Sequence, residues 1–234
     1  MSDLLLSIVI ITKNEERYLP KLLESINYQK VNFNYEIIVS DANSKDNTRQ
    51  IAKRYWCKVV EWWLPSKGRN EWAKLAKWKW ILFLDADVLL PYNALQTRID
   101  KLEKKKADIW TPYVKLRDDE KSIVADLFFR TSFFSYNFTW GAFWWWICVK
   151  KEYFNKVNWF DETVYLAEDI DFVKRVVKSW WKRVNLLPML QYSGRRFKKS
   201  WVFTTIFRAA WWQILLIFGV KQKKTKKNEK IYKL

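Results

Sequence analysis

An α/β domain built on a mostly parallel sheet, in the Rossmann-like manner, is the fold this sequence predicts. Runs of apolar, β-branched residues of strand length alternate with segments of helical spacing. The loop after each main run gathers Asp, Asn, Glu, Ser and Thr. A strongly apolar stretch, residues 201–220, then precedes a lysine-rich tail and reads as an amphipathic helix with a basic appendage. The division expected is therefore an α/β domain over residues 1–200 and an appendage over residues 201–234.

Taken in order, residues 7–11 ("SIVII") form a buried strand that breaks into polar residues at Thr12. Leu19, Leu22, Leu23 and Ile26 follow at helical spacing. Residues 36–40 repeat the unit, with "DANSKD" as the loop and a helix after it. "CKVVEW" is a third short strand and "NEWAKLAKWK" a helix. Residues 81–84 are a fourth apolar run, ending in Asp85 and Asp87. Residues 94–106 read as a solvated helix and "ADIWTPYVKL" as a further strand. "YLAEDIDFVKRVVKSWWK" is a helix with Ile170, Val173, Val176 and Val177 on its apolar side. The aromatic stretch "SIVADLFFRTSFFSYNF" resists assignment. In parallel sheets of this kind, ligands bind beyond the carboxyl ends of the strands. Residues 12–16, 41–46 and 85–87 should therefore face one crevice.

Composition narrows the chemistry. A net charge of +18 favours an anionic partner. The chain has no histidine, so a general base must be a carboxylate or, less readily, a lysine, tyrosine or cysteine. Two unpatterned cysteines, Cys57 and Cys148, suggest neither a disulfide framework nor a zinc site, and a reducing, cytoplasmic setting is expected. Residues 1–12 lack the marks of a secretory signal.

Two carboxylates one residue apart, Asp85 and Asp87, repel each other unless a cation sits between or beside them. One or two carboxylates completed by substrate phosphates suit Mg²⁺ or Mn²⁺. Glu168, Asp169 and Asp171 in "LAEDIDFV" crowd a helix start, where a dehydrated cleft would raise one carboxyl and fit it to act as a base.

With these motifs in order, "SIVIITKNEE", "EIIVSDANSKDNT", "GRNEWAKLAKWKWILFLDADV", "FNKVNWFDE" and "AEDIDFVKRV", the chain resembles glycosyltransferase family 2 over roughly residues 6–200. The resemblance implies the GT-A fold and a metal-assisted, inverting transfer from a nucleotide-diphosphate-sugar to a hydroxyl acceptor, glycan or lipid-linked. On the matching positions it implies that Thr12, Asn14 and Glu15 border the nucleotide and that Asp41 contacts its base or ribose. Arg69, Asn70 and Asp85 complete the donor site, and Asp85 and Asp87 hold the metal. Asp169 is the implied base, with Glu168 beside it. "DANSKD" departs from the usual D-D-G-S-x-D at Ala42 and Asn43, where asparagine tolerates the left-handed turn that glycine would take. Arg195 and Arg196 are further candidate cations. A metal-dependent nucleotidyltransferase and a basic nucleic-acid-binding module are the rival readings, although three acidic tips would repel a nucleic acid.

Glycine is also scarce, 4 residues against 17 tryptophans. Trp72, Trp78, Trp159 and one or two of residues 144–146 stand where the family pattern has glycine or a small residue. Trp56, Trp62 or Trp63, Trp180 or Trp181 and Trp201 are further cases. The expectation is that UGA encodes glycine in the source and has been translated here as tryptophan. At the C-terminus, Thr204, Thr205 and Arg208 share one face of residues 201–220, and "KQKKTKKNEK" follows. That arrangement predicts peripheral docking on an anionic membrane, on the inner face of the plasma membrane.

Overall fold

The structure, a computed structural model, describes residues 5–61, 65–76, 79–116, 147–164, 171–172, 175–176 and 183–193. Four strands supply the first half: β1 (Leu5–Thr12), β2 (Asn34–Asp41), β3 (Lys58–Glu61) and β4 (Trp80–Asp85). Between them lie α1 (Leu19–Asn27), α2 (Thr48–Arg54) and α3 (Pro65–Leu75). β5 (Val88–Leu89), α4 (Ala94–Lys104), β6 (Ile109–Leu116), β7 (Ile147–Lys150), α5 (Lys151–Lys156) and β8 (Arg183–Tyr192) follow. Among the described residues these strands make one sheet, ordered β3-β2-β1-β4-β7-β6-β8-β5. The β1–β2, β1–β4, β2–β3 and β6–β8 pairs are parallel, and β7 runs antiparallel to both β4 and β6.

Period-two alternation sends each central strand's apolar residues to two cores. Leu6, Ile8, Ile10, Leu82 and Leu84 pack under α1 and α4, where Leu19, Leu22, Leu23 and Ile26 form the buried stripe of α1. Val9, Ile81 and Phe83 face the other way, against Trp72 and Ala73 of α3 and the rings of Phe154, Phe160 and Phe172. Both cores thus clamp the parallel strands β1, β2 and β4, whose ends carry the polar tips.

The sequence reading of α4 needs correction. It is not a solvated helix, because Ala94, Leu95, Arg98, Ile99 and Leu102 are buried. Arg98 is covered to 1% exposure, and burial pulls its guanidinium down to about 10. Four elements went unread, β5, β7, α5 and β8. The strand β8 is defined by pairing with β6 on one side and β5 on the other, not by alternation of its own sequence. Of the expected helix after Val164, residues 171–172 and 175–176 are helical and Val176 is fully buried. Ile170, Val173, Val177, the stretch 122–138 and residues 201–234 lie outside the described residues. No helix among the described residues is long and apolar enough to cross a membrane.

Among the described residues, seven other than glycine adopt positive φ: Asn14, Asn43, Asn93, Asn158, Lys106, Trp56 and Trp159. Asn43 takes the left-handed turn expected of it, at φ 55°. Trp56 and Trp159, at 58° and 61°, are bulky residues in a region that penalises a Cβ.

Candidate active site

Register brings the polar tips together. Thr12 at the end of β1 pairs with Asp41 at the end of β2, and Ile11 pairs with Asp85 at the end of β4. Three adjacent parallel strands therefore present Thr12, Asp41 and Asp85 at one edge.

The first two loops are laced to each other. The Thr12 hydroxyl donates to Asp41 Oδ1 at 2.9 Å, and the Ser44 amide donates to Asp41 Oδ2 at 2.8 Å. The Ser44 hydroxyl donates to Asp41 Oδ1 and in turn accepts the Asn14 amide at 2.8 Å. Arg49 lies 3.8 Å from Asp41 Oδ2. Asn14 Oδ1 accepts the Lys45 amide, and the Glu15 amide donates to Thr48 Oγ1, each at 2.8 Å. Thr12 and Asp41 are fully buried, so their first task is to hold the loops in register. Asp46 closes the weave by accepting the amides of Glu16 and Thr48. Burial alone would raise its carboxyl, but the bonds from the Thr48 hydroxyl and the two amides outweigh that and hold it below the ordinary range. Sequence reading missed Ser44, Asp46 and Thr48 as loop fasteners. Their signal was present in the short polar side chains of "DANSKDNT", which readily bond nearby backbone.

Asp85 is half-buried at the end of β4, and Asp87 is buried in the tight turn before β5. The Ser193 amide donates to the Asp87 carbonyl at 3.1 Å, so the end of β8 braces this turn. Among the described residues there is no group of three or more His, Cys, Asp or Glu side chains placed to hold a metal. Two hard carboxylates on one turn fit an ion that takes most of its oxygens from water and phosphate, as Mg²⁺ and Mn²⁺ do.

Arg69 and Asn70 are buried on α3. The Arg69 guanidinium lies 5.5 Å from the Phe160 ring centre. Asn70 Nδ2 donates to the Phe160 carbonyl at 2.9 Å and to Glu162 Oε1 at 3.0 Å, while Asn70 Oδ1 accepts the Phe160 amide at 2.8 Å. A cavity of about 610 Å³ runs along α3 between Lys74, Trp159, Glu162 and Arg175. Glu168, Asp169, Arg195 and Arg196 lie outside the described residues. The residues flanking the acidic pair, Val164 and Asp171, are both buried.

Residues 7–164 match the family model described as Glycosyl transferase family 2. The chain belongs to that family. Mouse dolichyl-phosphate β-glucosyltransferase is 29% identical over 170 residues, covering 62% of this chain and 50% of the relative. The 4,4'-diaponeurosporenoate glycosyltransferase of Staphylococcus haemolyticus is 35% identical over 95 residues, 36% of this chain and 24% of the relative. The chain thus spans half or less of these curated relatives. Among solved structures, S. aureus TarS in complex with UDP matches with a TM-score of 0.62 at 20% identity, over 80% of this chain and 60% of that one. The mannosyltransferase PcManGT from Pyrobaculum calidifontis, in complex with GDP-Man and Mn²⁺, gives 0.62 at 16% identity, over 80% and 56%. These neighbours share the GT-A arrangement of a mostly parallel sheet flanked by helices.

Proposed function

We propose that this family 2 glycosyltransferase moves a sugar, with inversion, from a nucleotide-diphosphate-sugar to a hydroxyl acceptor of a cell-envelope glycan or lipid. The observation that carries the reading is the shared edge of Thr12, Asp41 and Asp85 on strands held in parallel register within a family 2 chain. The donor class is supported by solved relatives bound to UDP-GlcNAc and to GDP-Man. The acceptor class is supported by relatives named for poly(ribitol-phosphate) and dolichyl phosphate.

In this reading Thr12, Asn14, Glu15 and Asp41 form the nucleotide side of the crevice. Arg69 adds positive charge, and Asp169, with Glu168 beside it, takes the proton of the acceptor hydroxyl. Displacement at the anomeric carbon puts that base opposite the leaving diphosphate. A divalent ion, Mn²⁺ or Mg²⁺, held by Asp85 and Asp87 would neutralise charge on the diphosphate as a Lewis acid.

A panel of nucleotide sugars with each metal tests the reading: nucleoside diphosphate should be released, whereas release of pyrophosphate would indicate nucleotidyl transfer. Asp169→Asn should lower turnover by roughly 10²–10⁴-fold with donor binding retained. Undiminished turnover would remove Asp169 from the role.

We infer in addition that several tryptophans are glycine in the native protein. Trp56 follows Tyr55, the C-cap of α2, in the helix-ending turn where the Cys57 amide reaches the Ala52 carbonyl and the Trp56 amide that of Lys53. Glycine is the usual occupant of that left-handed position. Trp159 is also left-handed, and Trp72 buries its indole N–H with no hydrogen-bond partner among the described residues. Sequencing the coding DNA decides the matter: UGA at positions 56, 72 and 159 with UGG at Trp80 is expected, and UGG throughout would end the idea. The lysine-rich tail and the apolar residues before it are assigned to a cytoplasmic-face, anionic membrane surface.

A further inference from the structure

We propose that Asn70 and Arg175 are positioning residues that clasp the loop leading into the acidic pair Glu168 and Asp169, and so set the rate of transfer without binding the donor. This inference rests on the functional reading above, which makes that pair the base.

Both N–H bonds of the Asn70 amide are already engaged, one on the Phe160 carbonyl and one on Glu162 Oε1, and its oxygen holds the Phe160 amide. An asparagine side chain has two donors in all, so the Asn70 amide group has no N–H left for a diphosphate. Its two bonds to Phe160 copy the exchange that a neighbouring strand would make with that residue, across 90 residues of sequence. Asn70 is only 4% exposed, where such bonds are shielded from water and each unmade partner is expensive. No other side chain substitutes readily. Aspartate loses both donors and sets a second charge beside Glu162, leucine loses every bond, and glutamine is one methylene too long.

Arg175 grips the same loop from the other end. Its guanidinium donates to the Val157 carbonyl and to Asp171 Oδ2, the latter at 2.8 Å. Phe160 stacks on Phe172 with ring centres 4.3 Å apart and 20° between planes. Loop 157–164 and the helical residues 171–172 and 175–176 are thereby fastened to each other and, through Asn70, to α3. The acidic pair is joined in sequence to both fastened ends, Val164 and Asp171. A misplacement of about 1 Å at a reacting group can lower a rate by roughly 10²-fold.

The test uses the full chain with its best donor, measuring kcat, KM for donor, the Kd of the nucleoside diphosphate, and amide hydrogen exchange at Phe160. Asn70→Ala should lower kcat by roughly 10–100-fold, keep KM and Kd within about 3-fold, and speed Phe160 exchange. Arg175→Gln, which frees the loop without touching α3, should show the same split and stands in if Asn70→Ala does not fold. A tenfold rise in KM or Kd with kcat unchanged would make Asn70 a donor ligand and overturn the proposal. So would kcat within about twofold of wild type. A wild-type chain that turns over no nucleotide sugar would instead sink the functional reading on which the proposal rests.

Discussion

Trp80 is fully buried, and its indole N–H donates to Glu103 Oε1 at 3.2 Å while Lys79 bonds the same oxygen at 2.7 Å. Burial alone would raise the Glu103 carboxyl, but these two bonds hold it below its usual range. Such a tryptophan is a core residue with its polar end satisfied. Trp56 is its opposite, 95% exposed and left-handed. Its ring gains nothing from burial, and its Cβ meets a backbone penalty of roughly 1–2 kcal/mol. Lys106 adopts the same left-handed turn after α4, so the fold tolerates a side chain there at a cost rather than forbidding one. Trp56→Gly should raise stability by about 1 kcal/mol in urea titrations, and Trp159→Gly by less, because the Trp159 ring packs on Phe154 at 5.6 Å. Trp80→Gly should cost about 3–5 kcal/mol. Destabilisation by Trp56→Gly would contradict the assignment of that position to glycine.

At the scale of elements, α2 illustrates how a site loop and a helix start share one group. Asn47 precedes the helix but makes no side-chain cap, and Asp46 does the capping, accepting the Thr48 amide at 3.0 Å. Since the same carboxylate takes the Glu16 amide at 3.1 Å, losing it loosens the loop after β1 as well. Asp46→Ala should cost about 1 kcal/mol at neutral pH. The folded-state carboxyl is depressed, so its contribution is complete above the ordinary aspartate range and is lost as pH falls through the lower folded value. The gap between wild type and Asp46→Ala should therefore shrink on acidification, as read by urea midpoints between about pH 6 and pH 3. A gap that is constant with pH would mean that the carboxylate's charge is not what matters. The strands β1 to β4 and helices α1 to α3 were legible because their patterns are local. The burial of α4 and the existence of β8 were not, since each depends on a partner far along the chain.

For the molecule as a whole, the charge of +18 is the main clue to what lies outside the candidate site, where acidic tips cluster. Membrane docking through residues 201–234 predicts that the full chain co-sediments with anionic liposomes and that a chain ending at residue 200 does not. Raising salt should weaken the basic contribution and leave the apolar one. Equal recovery of both chains in the supernatant would exclude docking. The candidate site was legible to a similar degree. The register of β1, β2 and β4 brings Thr12, Asp41 and Asp85 to one edge as the strand endings required. The bonds that occupy Asn70 gave no sign in the sequence, because its partners lie 90 and 92 residues away.

By itself the sequence determined the α/β class, the family and the places where polar side chains leave the ends of strands. Each of these follows from short-range periodicity, from residue chemistry and from motifs in order. Only the tertiary structure decided which of those side chains serve the loops first, that Arg98 is buried, and that Asn70 grips Phe160. Hydrogen bonding and burial are set by whatever the fold brings alongside, and spacing along the chain carries no record of a neighbour that arrives from the far side of the sheet.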